Sequence, residues 1–129
     1  MLVLDENLPA GQRQLLRKWR MRFRVIGIDL ARRGTSDENL IPLLHHLPQP
    51  TFFSLDRAFF RPELLHANYG LVWLDVGDNL AAESIRNFLR QHEFDTRAKR
   101  MRIVARVHGG GVTFWRMPKR SPRTVSWPP

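Results

Sequence analysis

The chain has 129 residues, of which 43% are hydrophobic, and it contains 21 lysines and arginines, 12 aspartates and glutamates, and no cysteine. This length fits one domain, and the hydrophobic fraction excludes an intrinsically disordered chain. The lack of cysteine excludes disulfides and thiolate metal sites. The formal net charge of +9 favours nucleic acid as the first candidate partner, ahead of an acidic protein or a charge that only serves solubility.

The amino terminus does not resemble a signal peptide. The residues before Asp5 carry no basic segment, and the apolar run stops at that aspartate. No apolar stretch approaches the ~18–20 residues that a membrane-spanning helix needs. We therefore expect a soluble cytoplasmic protein without a membrane partner.

In chain order, the first half of the sequence alternates short apolar runs with amphipathic stretches, which indicates strands and helices in turn. The predicted elements here are a strand at 2–4, a helix at 9–20, a strand at 23–28, a helix at 36–47 and a strand at 51–55. Thr35 or Ser36 is predicted to cap the second helix, and Pro48 stops it.

The second half continues the alternation and then changes character. We predict a short helix or turn within 57–67, a strand at 71–74, and a helix at 79–92 capped by Asp78. The last two strands, at 101–107 and 112–117, are joined through three glycines as a hairpin. Residues 118–129 are basic and rich in proline, so a disordered tail is expected.

Short strands that alternate with helices predict an α/β fold with a mainly parallel sheet covered on both faces, followed by the carboxy-terminal β-hairpin. The expected domain spans residues 1–117.

Acidic residues fall at the ends of the predicted strands. Asp5 ends the first strand, Asp56 ends the third, and Glu38 begins the helix after the second. Ligands of open parallel sheets bind at the carboxyl ends of the strands, so these three carboxylates are expected to converge. Converging carboxylates repel one another unless a cation lies between them, and oxygen ligands favour Mg²⁺ or Mn²⁺.

Several acidic and polar residues also have simpler explanations. Glu6 and Asn7 could cap the first helix, and Asp37, like Glu38, would favour the macrodipole in a first helical turn. Asp75 and Asp78 follow the fourth strand at the same edge, although Asp78 is better explained as a cap. A base-stacking role for Trp115 or Trp127 is a further option, against a place in the core.

Four segments, in this order, resemble the DUF5615 PIN-like family, which is related to VapC-type toxins and Mut7-C ribonucleases. Residues 4–9, Leu-Asp-Glu-Asn-Leu-Pro, are similar to the opening motif of that family. Residues 36–40 resemble its Ser-Asp-Glu-Glu-Ile helix start, residues 54–59 its Thr-Arg-Asp-x-Asp-Phe segment, and residues 70–74 its Gly-Val-Ile-Leu-Leu strand. With the closing hairpin, the resemblance spans roughly residues 1–117.

The resemblance implies a PIN-like three-layer α/β/α fold and metal-dependent cleavage of single-stranded RNA. It implies that Asp5, Glu38 and Asp56 are the catalytic ligands of Mg²⁺ or Mn²⁺. It also implies a toxin that acts beside a small antitoxin protein. A homodimer is a further expectation.

Two departures from the family pattern weaken that implication. Ala58 stands where the family has its second aspartate, and Leu55 stands where it has an arginine. Asp75 or Asp78 would have to supply the lost carboxylate. A catalytically weakened or inactive protein that binds RNA or an antitoxin is therefore the alternative.

Three hypotheses follow. In the first, a ribonuclease holds RNA phosphates with Arg32, Arg33 and Arg57. In the second, the same fold binds RNA or a partner without catalysis. The third is a phosphoacceptor receiver domain, which also has acids after its first and third strands. The lack of a lysine at the end of the last parallel strand disfavours it.

Overall fold

Neighbouring apolar residues in the central strands point to opposite faces of the sheet, because side chains alternate along a strand. Val3 packs in one buried cluster and Leu4 in the other, and Phe52 and Phe53 divide in the same way. A sheet that is apolar on both faces needs a cover on both, and this requirement produces three layers.

The computed structural model describes residues 1–119 and 121–129. Within these residues the strands are β1 (Leu2–Leu4), β2 (Arg24–Val25), β3 (Thr51–Ser54), β4 (Gly70–Leu74), β5 (Ile103–His108), β6 (Gly111–Arg116) and β7 (Arg123–Ser126). They form one seven-stranded sheet in the order β2-β1-β3-β4-β5-β6-β7. The first five strands pair in parallel, and β6 and β7 are antiparallel.

Within the same residues the helices are α1 (Ala10–Lys18), α2 (Asp37–His45), α3 (Ala81–Arg90) and α4 (Arg97–Arg100). Leu16 of α1 and Phe88 of α3 belong to one buried cluster, and Leu40 of α2 belongs to the other. The helices therefore cover both faces, which confirms the predicted α/β class with its mainly parallel sheet and carboxy-terminal hairpin. Nowhere in the described ranges is a helix both long and apolar enough to cross a bilayer.

Some predicted boundaries and caps were wrong. The second strand has only two residues, because Gly27 takes a positive φ of 85° and turns the chain. Asp78 does not cap α3: it begins a 3₁₀ turn, Asp78–Leu80, that Gly77 precedes. Ser36 lies at the predicted cap position of α2 but makes no side-chain cap hydrogen bond.

The predicted disordered tail contains a strand instead. Arg123–Ser126 pair with β6 as β7, while Arg120 of the same tail lies outside the described residues. The close approach depends on Gly111, since a Cβ there would lie 2.0 Å from the carbonyl oxygen of Val125. The many prolines of the tail argue against a strand, but they flank residues 123–126 and do not interrupt them, so this segment can still pair.

Tyr69, the only tyrosine, is 2% exposed, and its hydroxyl donates to the carbonyl oxygen of Leu64. Burial raises the pKa of Tyr69 from 10.0 to about 12. The folded state therefore disfavours the phenolate, and stability falls as pH rises from 10 to 12, by roughly 2–3 kcal/mol in total. Phenolate absorbance should titrate near pH 12 in the native protein and near 10 in urea. A titration midpoint of Tyr69 at its ordinary pKa of 10.0 in the native protein would contradict this prediction.

Candidate active site

The carboxyl ends of β1 and β3 form the centre of one edge of the sheet. These strands pair in parallel, with Leu4 opposite Phe53, so the residues that follow them emerge side by side. The backbone N–H of Asp5 continues the ladder by donating to the carbonyl oxygen of Phe53 at 2.9 Å. Asp5 and Asp56 therefore lie at the same rim, as the sequence predicts.

Ser54, the last residue of β3, is fully buried and organises this rim. Its hydroxyl donates to Oδ2 of Asp5 at 2.6 Å. The hydroxyl oxygen of Ser54 also accepts from Nδ2 of Asn7 at 3.2 Å and from the backbone N–H of Asp56 at 3.0 Å. One hydroxyl thus fixes the segments after β1 and after β3 relative to each other.

Asp56 is exposed and begins the 3₁₀ turn Arg57–Phe59. Its Oδ1 accepts from the backbone N–H of Ala58 at 2.9 Å, which leaves Oδ2 free of hydrogen bonds to described residues. Ala58 therefore contributes a backbone donor to the site but no carboxylate.

Asp37, at the start of α2, interacts electrostatically with Asp5 after β1 and with Asp56 after β3. Burial raises the pKa of Asp5; hydrogen bonds from Ser54 and the Glu6 backbone oppose the rise, and the charges of Asp37 and Glu6 add to it. Burial also raises the pKa of Asp37, and the charge of Asp56 raises it further, while Arg61 lowers it. The charge of Asp37 thus acts on Asp5 and that of Asp56 acts on Asp37, and we call these three residues the acidic rim.

Glu38, which the resemblance implies as a ligand, begins the same helix. It is exposed and lines, with Asp37, Ala58 and Arg61, a cavity of about 330 Å³ beside the acidic rim. Of these two acids, Asp37 is the one whose charge raises the pKa of Asp5. The ligand role of Glu38 stays a prediction.

Glu6 holds the loop that leads into α2. Both of its carboxylate oxygens accept from the backbone N–H of Gly34, at 3.0 and 3.1 Å. Gly27 allows this approach, because a Cβ there would lie 2.9 Å from Oε2 of Glu6. The predicted phosphate contacts Arg32 and Arg33 are exposed residues of that loop, so Glu6 positions basic side chains and the start of α2.

That Asp75 or Asp78 supplies the carboxylate missing at Ala58 stays a prediction. Asp75 is paired with Arg106, whose Nε lies 2.8 Å from its Oδ2. Asp78 is exposed, three residues further on, in its 3₁₀ turn. Asp75 is therefore already neutralised by a cation of the sheet itself.

The donors at the acidic rim are all oxygens, which is the chemistry that Mg²⁺ and Mn²⁺ prefer. Among residues 1–119 and 121–129, however, no three or more histidine, cysteine, aspartate or glutamate side chains are grouped so that they could hold a metal ion. Mg²⁺ is commonly held by one or two carboxylates together with water and substrate phosphates. The carboxylates of the acidic rim fit a site of this kind, in which water and substrate complete the coordination, and not one formed by protein ligands alone.

Sequence reasoning missed Ser54 and Arg61. A serine that ends a run of buried strand residues is a signal that could have indicated Ser54, because a buried hydroxyl needs partners. No sequence signal indicates Arg61, whose proximity to Asp37 arises only when the turn after β3 packs beside α2. No family model, curated protein or solved structure matches this chain.

Proposed function

We propose that this chain is a Mg²⁺- or Mn²⁺-dependent endoribonuclease that cleaves single-stranded RNA at the acidic rim. The observation that carries the proposal is that Asp5 and Asp56 follow the paired parallel strands β1 and β3, with Asp37 close enough for its charge to act on Asp5, in a chain of net charge +9. A basic protein attracts RNA over its surface, and an acidic group within it serves to hold a cation.

Each residue of the site has a distinct task in this proposal. Asp5 and Asp37, with the free Oδ2 of Asp56, would hold the ion, and Ser54 orients Asp5 through its short hydrogen bond. When bound, the ion supplies Lewis-acid stabilisation of charge on the scissile phosphate. Arg61, whose charge reaches Asp37, would bind a phosphate of the RNA beside the rim.

The remaining predicted phosphate contacts lie on two sides of the acidic rim. Arg57 follows Asp56 directly, whereas Arg32 and Arg33 belong to the loop that Glu6 holds. RNA that passes the rim would therefore meet cations before and after the carboxylates. By the family resemblance, we extend the proposal to a cytoplasmic toxin, with a small antitoxin protein as its partner and a homodimer as its assembly.

The direct test is the cleavage of an unstructured RNA by purified protein with Mg²⁺ or Mn²⁺, compared with the same reaction in EDTA. Asp5→Asn should lower the metal-dependent rate by about 100-fold or more, because it removes the ligand charge that Ser54 positions. Glu83→Gln, which changes an exposed acid of α3, is the matched control and should cleave like wild type. Equal rates for wild type and Asp5→Asn would exclude this mechanism.

A second candidate is an RNA-binding or antitoxin-binding protein of the same fold without catalysis. It is favoured by Ala58, which offers the rim only a backbone N–H, and by the lack of a three-ligand group in the described residues. Salt-dependent RNA binding without cleavage in either metal would select this candidate over the nuclease.

A further inference from the structure

Within the described residues, the turn segment that holds Phe60, and not an α-helix, packs on one face of the sheet over β4 and β6. Trp73 of β4, Arg106 of β5 and Trp115 of β6 point to this face and are all partly exposed. Their strand neighbours Leu74 and Phe114 point to the other face, which α1 and α3 cover, and are buried. This face thus presents partly exposed aromatic and cationic side chains beside buried core residues such as Val104.

The aromatic side chains on this face form a continuous cluster. The ring centroid of Phe60, from the segment after β3, lies 5.6 Å from that of Trp73 and 4.6 Å from that of Trp115. The guanidinium carbons of Arg57 and Arg106 lie 6.0 and 5.7 Å from the centroid of Trp73. We call these five residues the aromatic platform.

The aromatic platform adjoins the acidic rim. Trp73 is the register partner of Ser54, so their Cα atoms are neighbours across one strand spacing, about 4.8 Å. Both side chains point to the same face, and the Ser54 hydroxyl holds Asp5. Arg57 of the platform directly follows Asp56 of the rim. A bound chain that extends past Trp73 would therefore reach the carboxylates.

The chemistry of the platform matches unpaired nucleotides. Tryptophan and phenylalanine rings stack on bases, and guanidinium groups bind phosphates. Tryptophan, phenylalanine and arginine are also enriched at protein interfaces, so the choice of RNA over a protein rests on the net charge of +9 and on the neighbouring acidic rim. Asp75 holds the guanidinium of Arg106, so part of the arrangement exists before any ligand binds.

We propose that the aromatic platform binds the unpaired bases of single-stranded RNA next to the acidic rim, with Trp73 and Trp115 as base-stacking residues and Arg57 as a phosphate contact. The inference deepens the proposed function and rests on its substrate class. In this inference the sheet face selects unpaired over paired RNA. The bases of a duplex are already stacked on one another, so their faces cannot contact the platform.

The test measures binding without cleavage. In EDTA, the fluorescence anisotropy of a dye-labelled unstructured RNA should show that Trp73→Ala and Trp115→Ala each weaken binding about tenfold, which is the order expected for one lost base stack. Trp73→Phe should retain most of the affinity, and Arg57→Glu should weaken it. A duplex of the same sequence should compete poorly.

Trp19→Ala is the matched control, because Trp19 is also a tryptophan with a nearby arginine but lies on the opposite side of the sheet. The guanidinium carbon of Arg86 is 3.8 Å from the centroid of its ring. It should bind RNA like wild type. Photocrosslinking of bromouridine-substituted RNA to wild-type protein, mapped by mass spectrometry, gives a readout independent of variant folding. Crosslinks should fall in peptides that contain Trp73 or Trp115, and crosslinks confined elsewhere would overturn the proposal.

The outcomes separate this inference from the nuclease proposal. RNA that binds the platform in EDTA but is never cleaved with Mg²⁺ supports the platform and refutes the nuclease. RNA that is cleaved, while both tryptophan variants bind like wild type, refutes the platform alone. The inference is also refuted if wild type does not bind RNA, binds duplex equally well, or uses this face for an acidic protein instead.

Discussion

Asp37→Asn is expected to lower metal-dependent RNA cleavage about 100-fold, whereas Glu38→Gln should change it by less than about threefold. The reason is that the charge of Asp37 acts on Asp5 and that of Asp56 acts on Asp37, whereas Glu38 is not among the charges that shift the pKa of Asp5 or of Asp37. Initial rates over a range of Mg²⁺ concentrations measure both effects, and a weaker ligand set should also raise the Mg²⁺ concentration that half-maximal cleavage needs.

The two substitutions form a closely matched pair, because both change an exposed carboxylate to an amide in the first turn of α2. Loss of the favourable interaction with the helix macrodipole is therefore similar in both variants. The reverse ranking, with Glu38→Gln inactive and Asp37→Asn active, would identify Glu38 as the ligand, as the family resemblance implies.

Ser54→Ala should lower the free energy of unfolding by roughly 2–3 kcal/mol, because one buried hydroxyl satisfies three groups and its removal leaves them without that partner. The Asp5 carboxylate would also lose the hydrogen bond that opposes the rise of its pKa. Urea-induced unfolding measures the stability change, and metal-dependent cleavage should fall together with it.

Asn7→Ala is the control for the Ser54 hydrogen-bond network. Asn7 is exposed, so loss of its bonds to Ser54 and to the backbone of Leu55 should cost about 1 kcal/mol or less. If Ser54→Ala were as stable as Asn7→Ala and cleaved RNA at the wild-type rate, Ser54 would not organise the acidic rim.

Much of the fold followed from local patterns. Strands whose consecutive residues are all apolar predict a sheet that is covered on both faces, and helices between them predict parallel pairing. The position of Asp5 and Asp56 at one rim followed for the same reason, since parallel strands end at the same edge. The strand β7 was missed because its pairing with β6 depends on Gly111, a long-range contact that composition does not report.

The remaining parts of the candidate site depend on which side chains meet across the fold. The α/β class, the parallel core and the carboxylates at the strand ends all follow from the residue pattern, because side-chain alternation and strand direction are local properties. The interaction of Asp37 with the strand-end acids and the pairing of Asp75 with Arg106 became visible only in the folded chain. The same is true of the face that Trp73 and Trp115 share, because these relations depend on helix rotation and strand order.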